Sequence, residues 1–263
     1  MDECISEVTN RNKDILDSII YAKRIQTGLL SPESELKKIF PTSFVLAYPR
    51  DIVSGDFFWV HEHQNKKFVV VADCTGHGVP GALMSIIGNN LLNQIIIDEH
   101  IENPSQILKE LDIRLKAAMR GDYHEVKDGM DIVLCLMDSS FYELYFAGAL
   151  RPLFISDADG KINEITPNRQ TVGGGTDEAD KHFVTKRSAI VPGQRIYLTS
   201  DGYYSQFGGP DEKKFMKSRF KTTLEGMQHE PMEKQMALLR EALKAWTGNL
   251  DQVDDVLVVG IEL

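Results

Sequence analysis

Four aspartates stand at or beside the end of an apolar run, where a strand would meet a turn. They are Asp56 in SGDFFWV, Asp73 in VADCTGHGVPGALMS, Asp201 in LTSDGYYSQFGG and Asp254 in QVDDVLVVGIEL. Each one alone is typical of a turn former or a helix cap. Carboxylates gathered at strand ends repel one another unless a cation lies between them. Hard divalent ions such as Mg²⁺ and Mn²⁺ prefer oxygen ligands, and a pair of them can activate water against a phosphoryl group.

The glycines that follow Asp73 fit this chemistry. Val69 to Ala72 predict a buried strand that ends on Asp73, and Gly76, Gly78 and Gly81 then bend the chain. Glycine lets backbone carbonyls and a ligand approach closely. The alternatives at Asp73 are therefore a helix cap or a carboxylate that holds something charged.

Composition narrows the class of protein. The chain has 263 residues and a formal net charge of −10, with no basic stripe of the kind that nucleic acid requires. Its three cysteines, Cys4, Cys74 and Cys135, show neither metal-type spacing nor an even count for disulfides. No apolar stretch approaches the ~20 residues that span a bilayer, and the polar N-terminus does not resemble a signal peptide. We expect a cytoplasmic protein without a membrane span.

The order of the predicted helices and strands around these aspartates indicates an α+β fold. Three strands precede two helices, which run from about Pro80 to Ile97 and from Pro104 to Arg120, the second capped by Asn103. The middle of the chain is strand-rich, and two further helices, 212–227 and 232–246, precede a last strand. Because strands and helices do not alternate regularly, we expect two packed sheets with helices outside them.

The N-terminal segment, residues 1–40, predicts a helix and a linker. Between Glu7 and Leu30 apolar residues recur at three- and four-residue steps. This seam, which we call the α1 seam, consists of Val8, Ile15, Ile19, Ala22, Ile25 and Leu29. The helix either packs on its own domain or forms a two-stranded coiled coil, with Asn12 and Gln26 as polar positions that fix its register. The segment SPESELKKIFP is then the linker to a domain at residues 41–263.

Six motifs in order carry a resemblance to a known family. They are SGDFFWV, VADCTGHGVPGALMS, GMDIVLCLMD, FAGALRPLF, LTSDGYYSQFGG and QVDDVLVVGIEL. Across residues 43–263 the chain resembles the SpoIIE-like bacterial branch of the PPM family, the metal-dependent serine/threonine phosphatases related to type 2C protein phosphatases. The resemblance implies a β-sandwich flanked by helices, with two Mn²⁺ or Mg²⁺ ions at one end.

The resemblance also implies a role for each matching position. Asp56 would contact one metal, and Asp73 would bridge both. The carbonyl of Cys74, where many relatives have glycine, would complete a ligand set. Asp201 and Asp254 would hold the other metal. The neighbouring Asp255 is a weaker candidate for a metal ligand than Asp254.

Four further residues have open interpretations. His77 is either a general acid or a polar turn residue, and Arg151 either contacts phosphate or is a solvated loop arginine. Ser205 stands where close relatives are expected to carry aspartate, which leaves a supplementary metal contact open. Asp131 has no assigned ligand role and is most simply a carboxylate at the start of a strand.

The predicted function is hydrolysis of phosphoserine or phosphothreonine on a regulatory protein by metal-activated water. The resemblance suggests a partner-switching anti-sigma-factor antagonist as the substrate. The apolar seam of the N-terminal helix suggests a homodimer formed through this helix, and the same helix suggests an upstream sensor outside this chain. One alternative is a catalytically silent relative that acts as a binding module. Another is a phosphoacceptor receiver domain, but that fold needs strict alternation of strands and helices.

Overall fold

The computed structural model describes residues 2–119, 128–140, 142–174 and 181–263. Within these ranges the α-helices are α1 (Asp2–Leu29), α2 (Glu33–Ile39), α3 (Gly78–Leu92), α4 (Pro104–Ala118), α5 (Gly202–Ser205), α6 (Lys217–Gly226) and α7 (Met232–Thr247), and a π-helix (Asn93–Asp98) continues α3. The strands are β1 (Ser43–Tyr48), β2 (Asp56–His63), β3 (Lys66–Cys74), β4 (Gly129–Asp138), β5 (Glu143–Ala149), β6 (Leu153–Ser156), β7 (Ile162–Ile165), β8 (Val172–Gly173), β9 (Lys186–Ala189), β10 (Arg195–Thr199), β11 (Phe207–Gly208), β12 (Lys213–Lys214) and β13 (Val256–Glu262).

Two antiparallel sheets form the centre of the molecule. Sheet I has the strand order β1-β13-β10-β6-β7, and sheet II has the order β2-β3-β4-β5-β9, with β8 paired to β4. Apolar side chains of both sheets meet in one buried cluster, and two further clusters lie under the helices. The predicted α+β sandwich with flanking helices is confirmed.

The alternation of β3 shows how its sequence produces these layers. Val69 and Val71 join the cluster between the sheets, whereas Val70 and Ala72 join the cluster under α3 and α4. Successive side chains of a strand point to opposite faces, so a strand buried on both faces reads as a continuous apolar run. By the same alternation Asp73 lies on the inward face, in line with Val69 and Val71.

Several boundaries differ from the sequence-based prediction. The segment predicted as a linker contains α2, because Leu36 and Ile39 pack into the cluster between the sheets. The helix expected from residue 212 begins at Lys217, since β12 pairs with β11 ahead of it. The cap at Asn103 is confirmed, because its side chain accepts hydrogen bonds from the N–H groups of residues 105 and 106. Arg120, the predicted end of that helix, lies outside the described residues.

Helix α1 divides into an exposed part and a packed end. Val8, Ile15, Ile25 and Leu29 of the α1 seam are exposed. Gln26 is only 2% exposed, and its amide bonds to the loop before β2 and to α3. The prediction that Gln26 is a polar position of a coiled-coil seam is therefore wrong, because its side chain faces the domain.

Among the residues that the structure describes, each helix is too short or too polar to span a lipid bilayer.

Candidate active site

Three aspartates lie side by side at one end of sheet II. In the antiparallel register Asp56 is opposite Asp73, and Asp73 is opposite Asp131 on β4. All three belong to the inward-facing rows of their strands, because Val60, Val71 and Val133 in the same rows pack between the sheets. Directly opposed side chains of antiparallel strands have Cβ atoms about 4.5–5.5 Å apart, and like charges there repel.

Two more aspartates come from sheet I. Asp201 follows β10 and begins α5, while Asp254 stands two residues before β13, which pairs with β10. The charges of Asp201 and Asp254 both raise the pKa of Asp73, so the two sheets bring their carboxylates to the same end of the sandwich. The structure therefore brings together all four aspartates of the sequence prediction and adds Asp131.

The guanidinium of Arg151 lies among these carboxylates. Its Nη2 atom is 2.8 Å from Asp73 Oδ2, 3.0 Å from Asp131 Oδ2 and 3.3 Å from Asp201 Oδ1. The side chain is only 13% exposed, and its Nη1 donates to the hydroxyl of Tyr204 at 3.3 Å. The interpretation of Arg151 as a solvated loop residue is wrong, because the crossover from β5 to β6 turns it inward.

Burial and mutual repulsion shift the ionisation of the cluster. Burial, together with the charges of Asp201, Asp254 and Asp131, raises the pKa of Asp73 to about 7, although Arg151 opposes the shift. Burial and the charge of Asp73 raise the pKa of Asp56 well above its ordinary value. The pKa values of Asp131 and Asp254 are also raised, chiefly by burial. Ionised carboxylates are unstable at this density without positive charge.

Close backbone contacts hold the loops around the cluster. A Cβ atom on Gly81 would lie 2.3 Å from the carbonyl oxygen of Gly76, and one on Gly55 would lie 2.7 Å from the same atom. Gly76 itself has φ +84°, a conformation that residues with side chains rarely adopt. The glycines of the turn thus let α3 and the loop before β2 approach Asp73. The carbonyl of Cys74, predicted as a ligand, lies in the same crowded turn.

Asp255, the neighbour of Asp254, anchors a loop by hydrogen bonds. Its two carboxylate oxygens accept hydrogen bonds from the backbone N–H groups of Arg50 and Gly55, each at 2.7 Å. These bonds fasten the loop that leads to Asp56 onto the start of β13. Both carboxylate oxygens of Asp255 are thus engaged by backbone N–H groups.

The remaining candidates lie at the edge of the cluster. His77 is exposed at the start of α3, and its Nδ1 is 2.6 Å from Asp51 Oδ2. Its charge acts on Asp254, which places the imidazole near that carboxylate. Ser205 donates a hydrogen bond to Asp201 Oδ2 at 3.1 Å, so it supports the aspartate.

The donor set fits divalent metal ions in chemistry. Every acidic group here offers oxygen ligands. Asp56 is only 9% exposed, and its Oδ2 atom is buried without a hydrogen-bond partner. The positions of these acidic side chains, however, differ from those of a formed metal site. Within the described ranges, no three histidine, cysteine, aspartate or glutamate side chains are arranged to hold an ion. The guanidinium of Arg151 stands between Asp73 and Asp201 instead.

Sequence reasoning missed the contributions of Asp131 and Asp51. Asp131 begins an apolar run, DIVLCLMD, just as Asp56 begins FFWV, so the same signal was present. Only the register of β3 against β4 places it opposite Asp73. Asp51 carries no local signal, because its contact with His77 joins two loops.

Comparisons with known proteins identify the family of this chain. The family profile for Stage II sporulation protein E (SpoIIE) matches residues 63–263. The SiaA-PP2C domain of Pseudomonas aeruginosa is 31% identical over 96% of this chain and 98% of its own, with a TM-score of 0.86. A comparison with curated protein sequences found no significant match.

Two more distant structures share the fold. The PP2C phosphatase domain of SpoIIE from Bacillus subtilis, solved with a fragment of its regulatory domain, has a TM-score of 0.67 at 17% identity, over 84% of this chain and 61% of that one. RsbX in complex with magnesium has a TM-score of 0.57 at 13% identity, over 84% of this chain and 94% of its own.

A two-sheet sandwich with aspartates from both sheets at one end defines a PP2C-type phosphatase domain. The chain belongs to the SpoIIE family, a branch of the PPM phosphatases.

Proposed function

We propose that this protein is a manganese- or magnesium-dependent phosphatase that hydrolyses phosphoserine or phosphothreonine on a protein substrate. The observation that carries the proposal is the convergence of Asp56, Asp73, Asp201 and Asp254 from two sheets, with an unpartnered carboxylate oxygen on Asp56. Catalytically silent domains have no need to maintain such mutual repulsion, so the binding-module alternative is disfavoured.

The residues divide into two groups around the proposed ions. Asp56, Asp73 and the carbonyl of Cys74 would hold one ion, and Asp73, Asp201 and Asp254 the other. When bound, the ions supply activation of water and orientation of the phosphoryl oxygens. Asp255 keeps the loop of Asp56 in place, and Ser205 orients Asp201. His77, whose ring contacts Asp51, would meet a substrate side chain that enters from solvent.

The substrate that we propose is a small phosphorylated regulator, in the class of partner-switching anti-sigma-factor antagonists. This rests on membership of the SpoIIE family. A short loop bearing phosphoserine suits a site at the open end of a sandwich, where His77 is exposed and Asp201 and Asp254 are partly exposed.

We also propose a homodimer through α1. Four residues of the α1 seam are exposed in the single chain, namely Val8, Ile15, Ile25 and Leu29, while the described part of α1 is fixed to the domain near its C-terminal end. A helix of this kind is marginal in water unless its apolar residues find a partner.

Asp73→Asn tests the phosphatase proposal. The amide keeps the shape of the side chain but removes the charge that would hold both ions. We expect loss of Mn²⁺-dependent hydrolysis of p-nitrophenyl phosphate and of a phosphoserine protein, and weaker Mn²⁺ binding in calorimetry, with the circular dichroism spectrum retained.

Asp138→Asn is the matched control. Asp138 is a buried aspartate at the opposite end of β4, where it accepts a hydrogen bond from the N–H of Ser140 that asparagine also accepts. This variant should keep turnover. Wild-type turnover in Asp73→Asn, or no Mn²⁺-dependent hydrolysis in the wild-type protein, would refute the proposal.

A further inference from the structure

The central cation of the site belongs to the chain itself. Arg151 Nη2 contacts one oxygen each of Asp73, Asp131 and Asp201, at 2.8, 3.0 and 3.3 Å. These carboxylates come from β3, from β4 and from the end of β10, so one guanidinium group joins the two sheets. Burial alone would lower the pKa of Arg151, but the charges of Asp73 and its neighbours raise it, and the group stays ionised.

The backbone directs Arg151 into this position. The crossover from β5 to β6 is short, and Leu150 within it has φ +59°, which a residue with a side chain seldom adopts. The N–H of Arg151 donates to the carbonyl of Ala149 at 2.7 Å, which closes a tight turn. Backbone strain of this kind persists only where the surrounding structure imposes it. The inward direction of Arg151 is therefore built into the fold.

The contacts of Arg151 are incomplete, however. Its Nε atom is buried with no hydrogen-bond partner, and its bond to the Tyr204 hydroxyl is long at 3.3 Å. A guanidinium group has five N–H donors and binds most strongly when a carboxylate accepts two of them. Here the same nitrogen, Nη2, makes the shortest approach to all three aspartates, and Nε donates to none, so the arrangement can be exchanged for a better one.

We infer that Arg151 is an internal counter-ion that competes with divalent metal ions for Asp73 and Asp201. The inference rests on the proposed function, because it concerns the same carboxylates. A guanidinium and a divalent cation repel strongly at contact distance in a partly buried site, so they cannot share these oxygens. Metal binding requires the guanidinium to withdraw, and the apparent metal affinity is lowered by the fraction of molecules in which it has not.

Neutral substitutions at Arg151 test the competition directly. In Arg151→Met and Arg151→Gln, calorimetry should show Mn²⁺ binding tighter than in the wild-type protein by at least about fivefold, the lower end of ordinary coupling between ligands. Without metal, both variants should melt at a lower temperature than the wild-type protein, since three carboxylates lose their counter-ion. Added Mn²⁺ should raise their melting temperatures by more than it raises that of the wild-type protein.

Arg195→Met is the matched control. Arg195 is 14% exposed, nearly as buried as Arg151, and pairs with Glu262 at 2.8 Å, away from the cluster. Loss of this ion pair should lower the melting temperature while Mn²⁺ affinity stays at the wild-type value. A general loosening of the fold would instead change metal affinity in both kinds of variant.

The outcomes separate this inference from the proposed function. If the wild-type protein binds Mn²⁺ and the two Arg151 variants bind it equally or more weakly, the competition is refuted and the phosphatase proposal stands. If neither the wild-type protein nor the variants bind Mn²⁺, both fail. Variants that fold only with Mn²⁺ present support the inference, whereas variants that fail to fold with or without Mn²⁺ overturn it.

Discussion

Asp56, Asp73 and Asp131 carry like charges on neighbouring strands, an arrangement that a stable fold alone would avoid. Each occupies an inward-facing position that an apolar residue would fill favourably, as Val69 and Val71 do in the same row of β3. Burial therefore opposes the ionised state of each carboxylate. The protein retains them at a cost in stability, which is expected where a cation is to be bound.

The raised pKa of Asp73 predicts a pH dependence of the metal-free protein. Its pKa is raised to about 7 by burial and by neighbouring carboxylates, against about 3.9 for an unfolded aspartate. Between these values the folded protein binds a proton that the unfolded chain has lost, so this contribution lowers stability as the pH rises through the interval. Mn²⁺ needs the ionised carboxylate, so its affinity should increase as the pH rises.

Urea unfolding in the presence of a chelator, at several pH values from 5 to 8, measures the expected loss of stability with rising pH. The Asp73→Asn protein should lack this component and gain relative to the wild-type protein as the pH rises. Calorimetry in buffers of different ionisation enthalpy measures proton release on Mn²⁺ binding. Equal pH profiles for the two proteins would contradict the prediction.

Asp201 and Asp254 should act as a unit. They are distant in sequence, but the charge of Asp201 raises the pKa of Asp254, so they lie close together. Alanine at either position should lower turnover by at least about 100-fold, since loss of an outer-shell partner of a metal already costs 10–100-fold. The double variant should lose little more, because ligands of one ion fail together. Steady-state kinetics at saturating Mn²⁺ would show it, and multiplicative losses would mean two separate sites.

Among the secondary-structure elements, α1 is hydrogen-bonded to the loop that leads to Asp56. The Gln26 amide donates to the carbonyl of Ser54 at 2.6 Å and to the hydroxyl of Ser85 on α3 at 2.9 Å, and it accepts from the N–H of Ser54 at 3.3 Å. A cavity of about 390 Å³ adjoins this contact, and Gln26 and Asp56 both line it. Movement of α1 would therefore shift Asp56, because Gln26 is bonded to Ser54 and Ser54 is bonded to Asp56.

Gln26→Ala should weaken both the fold and the site. Unpaired backbone groups of Ser54 would remain buried, so we expect a loss of about 1–3 kcal/mol in the free energy of unfolding. Mn²⁺ affinity should fall as well, because the loop before Asp56 loses an anchor. Urea denaturation and calorimetry measure the two effects. Arg24→Ala, an exposed position two residues earlier on α1, should change neither, and a Gln26→Ala protein with unaltered metal affinity would disconnect α1 from the site.

In the whole molecule, the exposed part of α1 presents apolar residues at helical spacing, among them Val8 and Ile15, that the domain leaves exposed. Its end is different, since Gln26 and Leu30 belong to the domain. A deletion that tests dimerisation should therefore stop before residue 21 rather than remove all of α1.

Deletion of residues 1–20 and the substitution Ile15→Glu should each convert a dimer into a monomer. Glutamate at the middle of the α1 seam would place two like charges in an apolar interface. Lys13→Glu, which alters an exposed polar position of the same helix, is the control. Light scattering and sedimentation give the mass of each protein. A wild-type monomer, or a dimer that survives both changes, would leave the α1 seam without the role we propose.

The features that could be predicted from the sequence are local. The strand and helix periods, the turn glycines after Asp73 and four aspartates at strand ends are written in short segments, so they predicted the α+β sandwich and the main acidic residues. Features that depend on strand register and long-range packing are visible only in the folded chain. Asp131 joins the site because β4 pairs with β3 in one register, Asp255 is separated from Asp254 by its bonds to a loop 200 residues away, and Arg151 enters the site through a crossover between sheets. None of these contacts has a local signature, because each joins residues that only the folded chain brings together.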